Sequence, residues 1–290
     1  MSKEILYTSA LNSEGDLIYI DEAKKGNQYY CPGCEGEFIL RKSGNTGKGS
    51  KRPHFAHNEL TSNCTAESVL HYSFKKELCN LLEEHVNEKN ALNIRWTCPN
   101  CSDQHEGNLL ANAVSVTEEH NLNVCQPDIA LLDADENVIA AIEVVVTHSP
   151  EEKVLQYYRD NGIILIQINL SSDEDLKNIS ELISAPSIVD YCFNHTCSNN
   201  QGYSVDRRVI AYRGKCGRCV SPIVRYAVEI KSSFGSWLSF DFTDSEIDLV
   251  KSNRNNIKIN TDSTTKGRHP VSICMNCRRA RARHGGGRRF

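Results

Sequence analysis

The 290-residue chain has no apolar run long enough to cross a membrane, so no membrane partner is expected. Met1 to Leu11 show no signal-peptide pattern, which points to a cytoplasmic setting. No glycine-rich phosphate loop, heptad repeat or internal repeat stands out, so neither a nucleotide cradle nor a coiled coil is expected. Acidic residues are scarce near the end of the chain. Residues 203–290 hold 18 Lys+Arg against 7 Asp+Glu, a balance of +11, whereas residues 1–202 hold 15 against 30, a balance of −15. The overall charge of −4 hides that division. It predicts that the C-terminal part meets a polyanion. The final stretch RRARARHGGGRRF, residues 278–290, reads as an arm for phosphates.

Cysteine is plentiful. Thirteen are present, partly as C-x-x-C pairs, and in a reducing compartment this pattern favours zinc over disulfides. Cys31 and Cys34 form the first knuckle, with His57 and Cys64 expected to complete a tetrahedral site and His54 as the competing ligand. Cys98 and Cys101 lack near partners; Cys192 and Cys197 are expected to return to them, with His105 and His195 as alternatives. Fifty-four residues separate the knuckle Cys216/Cys219 from the knuckle Cys274/Cys277, far beyond the usual zinc-ribbon spacing of about 15–20. The strand-like segments Ile223 to Ile230 and Trp237 to Phe242 lie between them and could keep the knuckles together. Cys79 and Cys125 remain as ordinary buried thiols.

The segment from Gln126 to Leu170 carries the chemistry. Leu122 to Leu132 reads as a strand, Asp133 to Asn137 as a turn, and Val138 to Val146 as a strand covered on both faces. Ser149-Pro150-Glu151-Glu152 supplies helix-start signals, Asn161-Gly162 a stop, and Ile163 to Asn169 a further, parallel strand. Asp128 and Glu143 are charges on apolar strands, which is costly unless they are paired or bind a cation. Thr65 to Lys89 predicts one long helix. At about 100° per residue, Leu70, Phe74, Leu78, Leu81 and Leu82 fall within about 60° of Glu67, so Glu67 and His71 sit on the core-facing stripe.

Pro127-Asp128 followed by Glu143 on the next strand resembles the PD-(D/E)XK nuclease superfamily. The resemblance implies a restriction-endonuclease-like α/β fold, a mixed sheet core flanked by small zinc modules, with Mg²⁺ or Mn²⁺ held by Asp128 and Glu143. Glu67 matches the helix glutamate that such folds often add. The superfamily's lysine position is occupied by Val145, and His148 and Lys153 are the nearest replacements. The layout from YYCPGC to HFAH, with the ES-x-x-H helix after it, resembles competence protein CoiA-like nucleases over about residues 5 to 170.

Three domains are expected: a Cys/His zinc module at 1–62, a nuclease-like domain at 63–200 and a basic zinc-ribbon-like domain at 201–290. The expected function is a metal-dependent nuclease acting on nucleic acid, DNA before RNA, with structural zinc. The competing reading is a catalytically inactive nucleic-acid-binding zinc adaptor. A third is a scaffold that recruits a protein partner through its acidic first 202 residues, and homo-oligomerisation stays open.

Overall fold

The computed structural model describes residues 5–42, 52–59, 64–194, 197–200, 206–216, 218–232, 234–240, 242–253, 257–261 and 268–278. His195 and the arginine-rich arm past Arg278 lie outside the described residues. The chain divides into two compact units, Met1–Tyr203 and Ser204–Phe290. It is mixed α/β, with several sheets rather than one.

The first unit opens with strands β1 (Ser9–Leu11), β2 (Leu17–Tyr19), β3 (Tyr29–Tyr30), β4 (Glu37–Arg41) and β5 (His54–His57). They form an antiparallel sheet in the order β2-β1-β3-β4-β5. Helix α1 (Ala66–Glu88) follows. Thr65 and Ser68 start it reciprocally: the Ser68 N–H donates to Thr65 Oγ1 at 3.1 Å, and the Thr65 N–H to Ser68 Oγ at 3.0 Å. Lys89, left-handed at φ 57°, ends it. Val69 of α1 enters the core of the first sheet, beside Cys31, Phe38 and Phe55, and Ser73 Oγ meets Ser9 Oγ at 2.8 Å. Arg52 forks onto Asp173 with two bonds of 3.1 and 3.0 Å, tying the entry to β5 to the chain beyond the second sheet's centre.

A hairpin, β6 (Asn93–Thr97) and β7 (Gln104–Asn108), comes next. The second large sheet uses β8 (Ser115–Glu118), β9 (Ile129–Leu132), β10 (Val138–Val145), β11 (Ile164–Asn169) and, after helix α3 (Ile179–Ser184), β12 (Ile188–Val189). Its order is β12-β11-β10-β9-β8, and only the β10–β11 pair is parallel. The parallel pair needs a crossover, and α2 (Glu152–Asp160) supplies it. Ala141, Tyr158, Ile163 and Leu165 form the core between α2 and this sheet.

Two boundaries differ from expectation. β9 begins at Ile129, not Leu122. Asn123 is left-handed at φ 65°, the Leu122 N–H donates to Cys125 O at 3.0 Å, and Pro127 has no N–H to give a ladder, so residues 122–127 form a turn. Helix α2 begins at Glu152 with Glu151 as its cap, two residues past Ser149. Glu151 is extended (φ −68°, ψ 151°), and its carboxylate is taken by Lys153 rather than by helix N–H groups.

The second unit holds an antiparallel sheet of β13 (Asp206–Lys215), β14 (Pro222–Ser232) and β15 (Gly235–Ser239). Helix α4 (Asp244–Asn253) packs Ile247 and Val250 with Val228, Ile230 and Phe242. Arg207 clamps Glu246 through bonds of 2.9 and 3.0 Å. A hairpin of β16 (Ile257–Thr261) and β17 (Arg268–Ser272) completes it.

Helix α1 gives a direct test of this packing. Leu82 is fully buried, while Leu81 beside it is only partly so. Leu82→Ala is expected to cost about 2–5 kcal/mol, and Leu81→Ala distinctly less, in urea unfolding followed by circular dichroism. Equal losses would place the helix face wrongly.

Candidate functional site

The pairing Ile129↔Ile142 between β9 and β10 sets Asp128, the next residue out, opposite Glu143. Asp128 Oδ2 accepts the Val144 main-chain N–H at 2.9 Å and lies 3.0 Å from His71 Nε2 on α1. Glu143 Oε1 accepts the Tyr158 hydroxyl of α2 at 2.6 Å. Burial pushes Glu143 up to about 7; the charge of Asp128 adds to the rise, while Tyr158, His71 and the Asp128 N–H oppose it. Tyr158 is raised as well, by burial first and then by Glu143. Two helices from opposite ends of the sequence segment therefore meet the same pair of carboxylates.

The other predicted residues do not join them. Glu67 lies one turn before His71 but is exposed, and among the described residues no hydrogen bond or ion pair ties it to the pair. Of the predicted stripe, Leu70, Phe74, Leu78 and Leu82 are buried and Leu81 partly so, while Val69 and Ser73, off the stripe, are buried as well. Glu67 stands in the first turn with Thr65 and Ser68, which are exposed too. His148 is exposed, with Nδ1 2.9 Å from Thr147 Oγ1, and Lys153 is exposed and bonded to Glu151 at 2.8 Å. Val145 is buried.

Lys75 was missed. Its side chain is 5 % exposed, and Nζ donates to Glu119 Oε1. The Glu119 N–H in turn donates to Asp128 O at 3.1 Å, and Gln126 Nε2 holds Glu119 O at 2.8 Å. Glu67, His71 and Lys75 follow one another at four-residue steps, and a charge repeated at that step on an apolar stripe was the available signal. Gln167, buried on β11 in register with Glu143, was also unread.

Three further clusters converge, each with its four ligand atoms mutually within 4.8 Å: Cys31, Cys34, His57 and Cys64; Cys98, Cys101, Cys192 and Cys197; Cys216, Cys219, Cys274 and Cys277. In each, the two halves cross. Cys31 Sγ lies 3.3 Å from Cys64 and Cys34 Sγ 3.3 Å from His57 Nε2; Cys98 Sγ lies 3.7 Å from Cys197 and Cys101 Sγ 3.6 Å from Cys192. Cys216 Sγ is 3.6 Å from Cys277 and Cys219 Sγ 3.5 Å from Cys274. A tetrahedron with Zn–S bonds of 2.3 Å has edges of about 3.8 Å, so the spacings suit a metal ion and the thiol-rich donor set suits zinc. No cysteine is in a disulfide. His57, not His54, belongs to the first cluster; His54 Nδ1 lies 2.7 Å from Arg52 O.

The four C-x-x-C knuckles share one backbone turn. The residue after the second cysteine is left-handed each time: Glu35 (φ 58°), Ser102 (60°), Val220 (59°) and Arg278 (52°). Its N–H returns to the first cysteine's carbonyl at 2.8, 2.9, 3.0 and 2.7 Å respectively. At Cys219 the Ser221 hydroxyl and then its N–H bring the thiol down to about 6, close to what a metal ligand needs at neutral pH.

The raised Glu143 has a stability consequence. Below about 4.5, its ordinary value, the group is protonated in folded and unfolded chains alike. From there to about 7 the folded protein keeps a proton that the unfolded chain has released, so stability falls as pH rises through that window. Glu143→Gln cannot ionise and still accepts from Tyr158. Its urea midpoint is expected to gain on the wild type between pH values of about 5 and 8; parallel midpoints would exclude the shift.

Residues 16–67 match the family model of the competence protein CoiA N-terminal domain. The matched span runs from β2 to the start of α1 and contains all four residues of the first cluster. No curated protein and no solved structure matches the chain. Residues 16–67, which carry Cys31, Cys34, His57 and Cys64, are thus similar to the N-terminal domain of competence protein CoiA.

Proposed function

We propose that the protein is a divalent-metal-dependent nuclease with structural zinc, acting in a competence-related setting such as DNA uptake. The observation that carries this reading is the meeting of Asp128, Glu143 and His71 at one end of the second sheet. Two carboxylates there have the donor chemistry to hold Mg²⁺ or Mn²⁺, which would activate water and offset charge on the phosphate. His71 would orient Asp128, and Tyr158 would fix Glu143. Lys75 would act through Glu119, whose main chain holds Asp128. Glu67, exposed one turn before His71, would take part only through a bound water or substrate. His148 and Lys153 are less suited, because neither makes a bond to the pair. The similarity of residues 16–67 to the CoiA N-terminal domain supports the competence setting, and the basic residues from Arg207 onward support a polyanionic substrate.

A buried Val145 in the motif's lysine position favours the competing reading, a zinc adaptor that binds nucleic acid without cutting it. Cleavage assays on plasmid, linear duplex and single-stranded DNA with Mg²⁺ or Mn²⁺ separate the two. Wild-type protein is expected to cut at least one substrate. Asp128→Asn and Glu143→Gln are expected to lose cleavage by about 100-fold or more while still binding. Binding by the wild type with no cleavage of any substrate would establish the adaptor.

Zinc is tested separately. Protein purified without added metal is expected to carry three zinc ions per chain by elemental analysis, one for each cluster. Cys31→Ser should remove one and unfold the first sheet locally, because metal binding supplies much of the folding free energy of so small a module. A content near zero would end the zinc reading and leave the nuclease reading standing.

A further inference from the structure

The middle cluster places an unusual demand on its surroundings. Cys98, Cys192 and Cys197 are 1 %, 0 % and 7 % exposed. Four thiolates around one Zn²⁺ leave a net charge of −2, and such a charge away from water needs hydrogen-bond donors aimed at the sulfurs. The main chain supplies some. The Asn194 N–H approaches Cys192 Sγ at 3.4 Å, and the Cys98 and Cys101 sulfurs accept main-chain N–H groups of their own turn.

One side chain does the same. His105 Nε2 lies 3.2 Å from Cys192 Sγ, yet His105 is not one of the four mutually close ligands. The pairing Trp96↔His105 between β6 and β7 sets the imidazole beside the indole, with ring centroids 5.3 Å apart. Phe193 packs edge-on against the imidazole too, also at 5.3 Å, and against Trp96 at 5.5 Å, so the three rings form a triangle. Trp96 Nε1 donates to Tyr191 O at 2.8 Å, which fixes the residue next to Cys192. The imidazole is therefore held by two aromatic rings with Nε2 aimed at a single sulfur, where a proton on that nitrogen would be donated to it.

We infer that His105 donates its Nε2–H to the Cys192 thiolate of the metal-loaded middle cluster, and that this bond controls how firmly that cluster retains its zinc. His105 is a positioning residue for the site, not a ligand. The donor would offset part of the buried negative charge on the ligand set and hold Cys192 Sγ in place. Partners of this kind are typically worth about 10–100-fold in metal affinity. The inference needs only a loaded middle cluster and does not depend on nuclease activity.

His105→Phe keeps an aromatic ring against Trp96 and Phe193 and removes the donor. Zinc transfer from the full chain to a chromophoric chelator is expected to show one zinc of three leaving about 10-fold faster or more in this variant, with the other two unchanged. Unaltered release in His105→Phe, alongside fast release in His105→Ala, would reduce the residue to packing and overturn the inference. Two measurements need no variant to fold. Cobalt-loaded wild type is expected to show four-sulfur coordination in the middle cluster, and nitrogen NMR of labelled histidine should find the His105 proton on Nε2. Three-sulfur, one-nitrogen coordination, a proton on Nδ1 or an empty middle cluster would each overturn it.

Discussion

Helix α1 is buried on more than one face, against two different sheets, and the candidate site depends on that shared burial. Val69 is packed into the first sheet, Ser73 is hydrogen-bonded to Ser9, and Phe74, Leu78 and Leu82 are fully buried. These contacts fix the rotation and height of the helix. His71 and Lys75, one turn apart on it, are then delivered to Asp128 and Glu119 without any loop having to place them. A helix held this firmly can keep a histidine 3.0 Å from a carboxylate at little further entropic cost, because the backbone freedom was lost in packing. The first sheet, through its contacts with α1, therefore helps to position the residues that meet Asp128.

The same economy governs the charged groups. Asp128, Glu143 and Lys75 are all removed from bulk water to some degree, and each has a named partner: a main-chain N–H and His71, Tyr158, and Glu119. Burial of like charges beside one another raises Glu143, while the polar contacts limit that rise. A divalent cation held by the pair, as the proposed function requires, would add positive charge beside both carboxylates.

Much of the framework was legible in the sequence. The bounds of α1 followed from Thr65 and Lys89, the strands around Asp128 and Glu143 from their apolar runs, and the three clusters from cysteine spacing. The distant pairing of Cys216 with Cys277 could be anticipated because strands between them can return the chain to its start. What was not legible depended on three dimensions. Lys75 looked like one more helix charge, since burial against β8 is not a property of its neighbours in sequence. Glu67 lies in an exposed first turn, and angular periodicity carries no information on which turns are covered. The turn at residues 122–127 was lost in a run of residues that individually suit a strand.

The four knuckles also store a conformational debt. Val220 is β-branched, and its φ of 59° is one that such a residue rarely adopts, at a cost on the order of 1–3 kcal/mol. Glu35, Ser102 and Arg278 bear a milder form of the same strain. If loss of a bound ion let these residues return to ordinary backbone angles, the ligands would spread apart. Ligation and local backbone geometry thus rise and fall as one cooperative event. Each cluster should behave as a two-position latch, either closed on its metal or sprung, with little in between.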